Sequence, residues 1–151
     1  MKKILILLFA AVLLLFAGCT ATPEDPADDA EVTSMYITIN GQKADVTLAK
    51  NAAADALVAL LKEGDITYTA DDYGGFEKVG SLGHTLPQND AQITTEAGDV
   101  ILYNGNQIVL FYGSNSWSYT RLGRINDHTM SELKAFLCAG EGEIQVTFSL
   151  N

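Results

Sequence analysis

Asp99-Val-Ile-Leu-Tyr103 and Gln107-Ile-Val-Leu-Phe-Tyr112 flank the dipeptide Asn104-Gly105. An Asn-Gly pair supplies the two positive φ angles of a type I′ turn, which joins neighbouring antiparallel strands. Both flanking runs are apolar throughout, so we expect both faces of each strand to be buried. This stretch therefore predicts a β-hairpin inside a mostly β domain.

Outward from the hairpin, several short runs alternate between apolar and polar side chains, which is typical of half-buried strands. These runs are residues 35–40, 45–48, 66–69, 76–82, 117–122 and 143–148. Residues 71–75 are predicted to form a turn or bulge. Residues 83–97 are rich in Gly, Pro and polar side chains and predict a long loop.

Two helices are predicted between these strands. Asn51 is a suitable N-cap for the first, whose apolar residues recur at helical spacing before Gly64 ends it. The second begins at Thr129-Met-Ser-Glu132, which matches a capping box. Isolated helices do not make alternating βα units. The predicted fold is therefore a closed antiparallel β-barrel of about eight strands with two short helices.

Three segments together resemble the bacterial cyclophilin-like domain family. They are residues 35–41 with the helix at 51–61, residues 71–78, and residues 97–123. The resemblance implies a cyclophilin-type barrel over residues 35–151. Domains of this family either accompany flavodoxin-like domains or stand alone as lipoproteins, so the resemblance implies one of these two arrangements. Most members of the family have no assigned activity.

The start of the chain resembles the signal of a bacterial lipoprotein. Lys2 and Lys3 precede fourteen apolar residues that lead to Ala17-Gly18-Cys19. The run is shorter than the roughly 20 residues of a spanning helix and fits a signal-peptide core of about 7–15. The alternatives are an ordinary secretory signal followed by a chance cysteine, or a poor membrane anchor. The resemblance implies a signal peptide at 1–18 and acyl chains such as palmitate on Cys19, which would hold the protein at the extracytoplasmic face of the cell membrane.

Residues 19–34 are predicted to be a flexible tether between the lipid and the folded domain at 35–151. Residues 20–34 hold five carboxylates and two prolines, and Val32 is their only large apolar residue. Such a composition buries too little apolar surface to fold by itself.

The charge of the chain excludes one class of partner. Removing residues 1–18 takes away Lys2 and Lys3 and leaves nineteen acidic against seven basic residues, which are scattered between Lys43 and Lys134. Nucleic acids require clustered Lys and Arg, so no nucleic-acid partner is expected. Membrane attachment must come from the lipid at Cys19. The remaining partners are an unknown small ligand, a peptide or a protein, or the flavodoxin-like protein that the resemblance implies.

The sequence carries no established catalytic or metal-binding pattern, and we expect neither catalytic residues, a bound metal nor a cofactor. Cyclophilins isomerise prolyl bonds with an Arg in a Phe-x-Arg strand motif. Neither Arg121 nor Arg124 has Phe two positions earlier. Cys138, the one other cysteine besides Cys19, is interpreted as a buried, inert thiol at the end of the second helix.

Two groups of residues are candidate ligand-binding residues. Trp117, Tyr119 and Arg121 alternate and so share one strand face. They would form either a binding patch for an anionic ligand or, if the rings fill the barrel, part of the core. Tyr73, Phe76 and Glu77 adjoin Gly74-Gly75, where a bulge would redirect side chains toward a site. The alternative there is an ordinary solvated turn.

The function predicted from these observations is a membrane-anchored, non-catalytic binding module of unknown specificity. A divergent peptidyl-prolyl isomerase is the enzymatic alternative. The third possibility is an accessory domain that partners a flavodoxin-like redox protein.

Overall fold

The computed structural model describes residues 31–151. Within them lie nine strands and two helices. The elements are β1 (Ser34–Ile39), β2 (Gln42–Leu48), α1 (Ala52–Glu63), β3 (Ile66–Tyr73), β4 (Glu77–Ser81), β5 (Ala91–Thr94), β6 (Asp99–Tyr103), β7 (Gln107–Phe111), β8 (Ser116–Ile125), α2 (Met130–Phe136) and β9 (Ile144–Ser149). The predicted signal peptide, Cys19 and residues 20–30 of the predicted tether lie outside the described residues.

Eight of the strands close into an antiparallel barrel. They follow the order β2-β1-β9-β3-β4-β7-β6-β8, and β8 pairs back with β2. The ninth strand, β5, pairs with residues 116–119 of β8 and lies outside the ring. Closure pairs the backbone of every barrel strand on both sides, so the ring has no free edge. The predicted barrel with two helices is confirmed.

The hairpin predicted around Asn104-Gly105 forms as expected. β6 and β7 pair from Val100↔Leu110 to Tyr103↔Gln107. Asn104 and Gly105 both have positive φ, 50° and 74°, as a type I′ turn requires. Both strands are buried on both faces except at the turn.

Both helices begin at the predicted caps. The Asn51 side chain accepts a hydrogen bond of 3.0 Å from the Ala54 N–H, and Gly64 is the C-cap of α1. Thr129 and Glu132 form a complete capping box at the start of α2. The apolar faces of both helices pack into the main core. Within residues 31–151, no helix is both long enough and apolar enough to cross a membrane.

Three local predictions were wrong. β3 continues through Asp71 and Asp72, and the turn comes only at Gly74-Gly75. Residues 83–97 contain β5, a short, mostly exposed strand. It pairs with the main chain of β8, which side-chain composition does not reveal. Cys138 follows α2 in a left-handed conformation and is half-buried.

The end of the predicted tether contacts the barrel. The Leu48 N–H donates a hydrogen bond of 2.9 Å to the Thr33 carbonyl, and Val32 packs against the main core. Residues 32 and 33 therefore extend the packed unit beyond β1.

The barrel has apolar side chains on both sides of one part of its wall. Neighbouring side chains in a strand point to opposite faces. Alternate residues of β6 and β7 therefore lie in the main core: Val100, Leu102, Ile108 and Leu110. The intervening residues form a separate group on the opposite face. We call this group the outer cluster; its buried members are Ile101, Val109, Phe111 and Tyr119, with Phe76, Val79, Ile93 and Tyr103 packed against them.

A buried ion pair joins β3 and β4 on the interior side of the wall. The Lys78 side chain is fully buried, and its Nζ lies 2.9 Å from Asp72 Oδ2 and also donates to the Gly142 carbonyl. Asp72 accepts further hydrogen bonds from the N–H groups of Gly140 and Gly142 and from the Tyr112 hydroxyl. Burial by itself raises the pKa of Asp72, but these four donors outweigh it and hold that pKa well below its usual range.

Candidate functional site

A cleft of about 530 Å³ lies over the outer cluster. Its volume is within the range of small-molecule sites, about 300–1,000 Å³. The residues that line it are Tyr73, Glu77, Val79, Tyr103, Asn104, Gln107, Val109, Asn115, Trp117 and Tyr119.

Sheet order brings these residues together. β4, β7, β6 and β8 are consecutive neighbours, so outward-facing residues from four strands meet on one surface. Val79 is directly opposite Val109, and Tyr103 is opposite Gln107. These four side chains share the face that alternation sends away from the barrel interior. The segment before β8 supplies Asn115.

Aromatic rings form much of the cleft wall. Tyr119 is buried, with its ring edge-to-face against Tyr103 at 5.9 Å and Phe111 at 5.8 Å between centroids. Trp117 and Tyr73 stand at the surface, 56% and 66% exposed. The cleft therefore has fixed aromatic walls inside and two accessible rings at its margin.

Glu77 is the one charged residue among those that line the cleft. It is only 5% exposed, and its Oε2 has no hydrogen-bond partner within the described part of the chain. Burial raises the pKa of Glu77 to about 7. A buried polar atom without a partner is unusual in a folded protein and is typical of a functional position. In this fold, the Glu77 side chain lines the cleft while its buried Oε2 lacks a hydrogen-bond donor.

The amide of Asn115 holds one wall in place. Its Nδ2 donates a hydrogen bond of 2.9 Å to the Tyr119 hydroxyl. The Asn115 backbone is fixed in turn, because its N–H donates to Thr95 Oγ1 and its carbonyl accepts from the Thr95 N–H. Burial raises the pKa of Tyr119, the Asn115 bond lowers it, and the nearby Glu77 charge raises it further. Tyr119 is thus a positioned, neutral phenol.

Four of the six predicted ligand-binding residues line the cleft: Tyr73, Glu77, Trp117 and Tyr119. Phe76 does not line it; its ring stacks on Phe111 at 6.3 Å in the outer cluster. The rings of β8 belong to the outer face, so they do not fill the barrel interior. Glu77 is buried, so the alternative of a solvated turn is wrong.

Arg121 has a structural partner instead of a place in the cleft. Its Nη1 donates a hydrogen bond of 2.7 Å to Oδ1 of Asp99, a fully buried carboxylate that also lies 3.3 Å from Arg124 Nη1. The cleft is lined by no Lys, Arg or His from the described residues. The sequence predicted that the Arg121 guanidinium would bind an anionic ligand, but in the structure this group bonds Asp99.

Six residues of the cleft were not among the predicted ligand-binding residues: Val79, Tyr103, Asn104, Gln107, Val109 and Asn115. One available signal was the hairpin itself. Because its strands are apolar on both faces, the second face requires its own covering, and Tyr103, Gln107 and Val109 share that face. Within residues 31–151, no cluster of three or more His, Cys, Asp or Glu side chains could hold a metal ion.

Comparisons with known proteins agree with this fold. The model of the Cyclophilin-like family matches residues 37–149. The hypothetical protein AF2241 from Archaeoglobus fulgidus is similar in structure, with a TM-score of 0.57 and 20% identity over 79% of this chain and 95% of that chain. McbB in complex with tryptophan gives a TM-score of 0.55 at 16% identity, over 76% of this chain but only 44% of that chain. None of the curated proteins matches. At these identities the solved structures show the fold alone.

Proposed function

The chain belongs to the cyclophilin-like family, and we propose that it is a membrane-anchored extracytoplasmic lipoprotein whose barrel binds a small ligand in the outer-face cleft. Membrane attachment rests on the sequence pattern that ends at Cys19. Ligand binding rests on the architecture of the cleft.

The observation that carries the binding proposal is the unpartnered Glu77 carboxyl at an aromatic-walled cleft. Burial raises the pKa of Glu77, so its charged form is less stable in the folded protein than in water. Glu77 therefore lowers the stability of the empty fold at neutral pH. A group that destabilises the empty fold and lines a cleft is explained by a ligand that supplies its missing partner.

Binding without catalysis is proposed because the cyclophilin arrangement for prolyl isomerisation is missing. That reaction uses an Arg beside an apolar pocket, whereas this cleft is lined by no Arg. Both arginines of the chain, Arg121 and Arg124, bond Asp99. Their guanidinium groups hold a buried carboxylate and so have a structural role.

Trp117 is the only tryptophan of the chain and stands at the margin of the cleft, so its fluorescence tests the proposal. In the full-length protein in non-ionic detergent, we expect red-shifted emission that acrylamide quenches, because the ring is 56% exposed. The probes are 2-phenylethylamine, 2-phenylethanol, phenylacetate and a capped Ala-Pro-Phe peptide. Fragments of this size bind with Kd values of about 1 mM, so titration to about 10 mM is sufficient.

We expect at least one probe to protect Trp117 from acrylamide. Absence of protection by all four would contradict the cleft as a ligand site. The same peptide also tests the enzymatic alternative, since uncatalysed prolyl exchange takes tens to hundreds of seconds. Acceleration of that exchange that Arg121→Ala abolishes would contradict binding without catalysis.

A further inference from the structure

The cleft combines one buried carboxyl with four aromatic rings and no cationic side chain from the described residues. We propose that its ligand is a small primary or secondary amine in its ammonium form that carries a flat apolar ring. The ammonium group bonds Glu77, and the ring lies against the aromatic wall. This inference rests on the proposed function, because it names the ligand class of the same cleft.

The missing hydrogen bond of Glu77 favours a ligand that carries a hydrogen-bond donor. Its Oε2 is buried and unpartnered, and the side chain lines the cleft. Oε2 itself is closed to solvent, so a ligand N–H supplies the missing donor once the carboxyl turns toward the cleft. If the donor is an ammonium, the bond is also charge-assisted and therefore shorter and stronger than a neutral one.

The aromatic rings of the cleft favour a cationic ligand that carries a ring of its own. Tyr73, Tyr103, Trp117 and Tyr119 present aromatic surface around the same space. The faces of such rings carry negative potential and attract cations, and Trp does so most strongly. The ligand's own ring finds apolar and aromatic surface at Val79 and Val109 as well as at Trp117.

The electrostatic field of the protein disfavours an anionic ligand. The chain carries a formal net charge of −10, and Glu77 supplies the one carboxyl group that lines the cleft. Arg121 and Arg124 both bond Asp99 and neither lines the cleft. A carboxylate ligand would thus meet repulsion without a compensating cation.

Amine binding is expected to depend on pH through Glu77. The titratable side chains that line the cleft with it are the phenols of Tyr73, Tyr103 and Tyr119. Tyr112 lies in the main core on the other side of the wall, where the Glu77 charge also acts on it. Burial raises the pKa of Glu77 to about 7, so the free protein holds that proton in mild acid. Ammonium binds the deprotonated form. Affinity should therefore rise with pH below 7, by up to about tenfold per pH unit, and level off above it.

Three isosteric probes test the charge of the ligand: 2-phenylethylamine, 2-phenylethanol and phenylacetate. They are titrated into the full-length protein in non-ionic detergent at pH 8, where an alkylamine remains protonated. We expect the amine to bind about tenfold more tightly than the alcohol, and the acid to bind most weakly. Between pH 5.5 and 7, affinity for the amine should rise while that for the alcohol stays level.

Glu77→Gln keeps the shape of the side chain and removes its charge. We expect it to abolish the preference for the amine over the alcohol and to flatten the pH dependence. Glu63→Gln is the matched control, because Glu63 is an exposed carboxylate on α1 that does not line the cleft. It should leave all three affinities unchanged.

Three results would overturn the inference. The first is an amine that binds no better than the alcohol or the acid. The second is a preference for the amine that survives Glu77→Gln. The third is N-acetyl-lysine methylamide, an ammonium without a ring, binding as tightly as 2-phenylethylamine. Each would leave the cleft as a binding site, whereas failure of every probe to bind would count against the proposed function itself.

Discussion

Replacement of Asp72 by Ala is expected to lower the free energy of unfolding by about 3–5 kcal/mol. The substitution leaves the Lys78 ammonium fully buried without its carboxylate partner. It also removes the acceptor of the Gly140 and Gly142 N–H groups. Such a loss is a large part of the total stability of a domain, about 5–15 kcal/mol. Denaturant unfolding at pH 7 measures it.

The control is Asp65→Ala, which removes an exposed carboxylate directly before the same strand and should change stability by no more than about 0.5 kcal/mol. If Asp72→Ala does not fold, the double variant with Lys78→Met removes the buried charge and should recover much of the loss. An Asp72→Ala loss below about 1 kcal/mol would contradict the buried pair.

The Asp72 effect has a definite pH dependence. Because hydrogen bonds from Lys78 and its neighbours hold the pKa of Asp72 below its unfolded value, its contribution is fully present above the unfolded pKa, about 4. It is lost as pH falls toward the lower folded pKa. The difference between wild type and Asp72→Ala should therefore shrink below pH 4.

Replacement of Cys19 by Ser is expected to move the protein from the membrane fraction to the soluble fraction, or to leave it unprocessed. Each buried acyl methylene contributes about 0.8 kcal/mol, so loss of two or three chains abolishes stable attachment. Fractionation and mass spectrometry of the N-terminus measure the result. Cys138→Ser is the matched control and should remain membrane-bound. A mature wild-type protein found free and without lipid would contradict the anchor.

Much of the barrel could be predicted from local sequence because local chemistry determines those elements. Asn104-Gly105 specifies its turn, and Asn51 and Thr129 cap their helices through short-range hydrogen bonds. β5 could not be predicted in this way. Two tertiary contacts stabilise this strand: its backbone pairs with β8, and Ile93 packs against the outer cluster.

The site was predicted in part for the same reason. Alternation identified the shared face of Trp117 and Tyr119, and the Gly74-Gly75 turn drew attention to Glu77. The burial of Glu77 depends on strands far from it in sequence, and the pairing of Arg121 with Asp99 depends on the register of β8 against β6. A bulge interrupts that register between Val100 and Ile101. No sequence period reveals such an irregularity.

Ligand binding at the cleft depends on Glu77 being a buried carboxyl whose missing partner is a ligand. Carbon-13 NMR titration of the Glu77 carboxyl in the full-length protein tests it most directly, first alone and then with saturating 2-phenylethylamine. We expect a midpoint near pH 7 in the free protein, because burial raises the pKa of Glu77, and a clearly lower midpoint when ammonium stabilises the charged form. A free-protein midpoint at the ordinary value of 4.5, or one that the amine leaves unmoved, would contradict it.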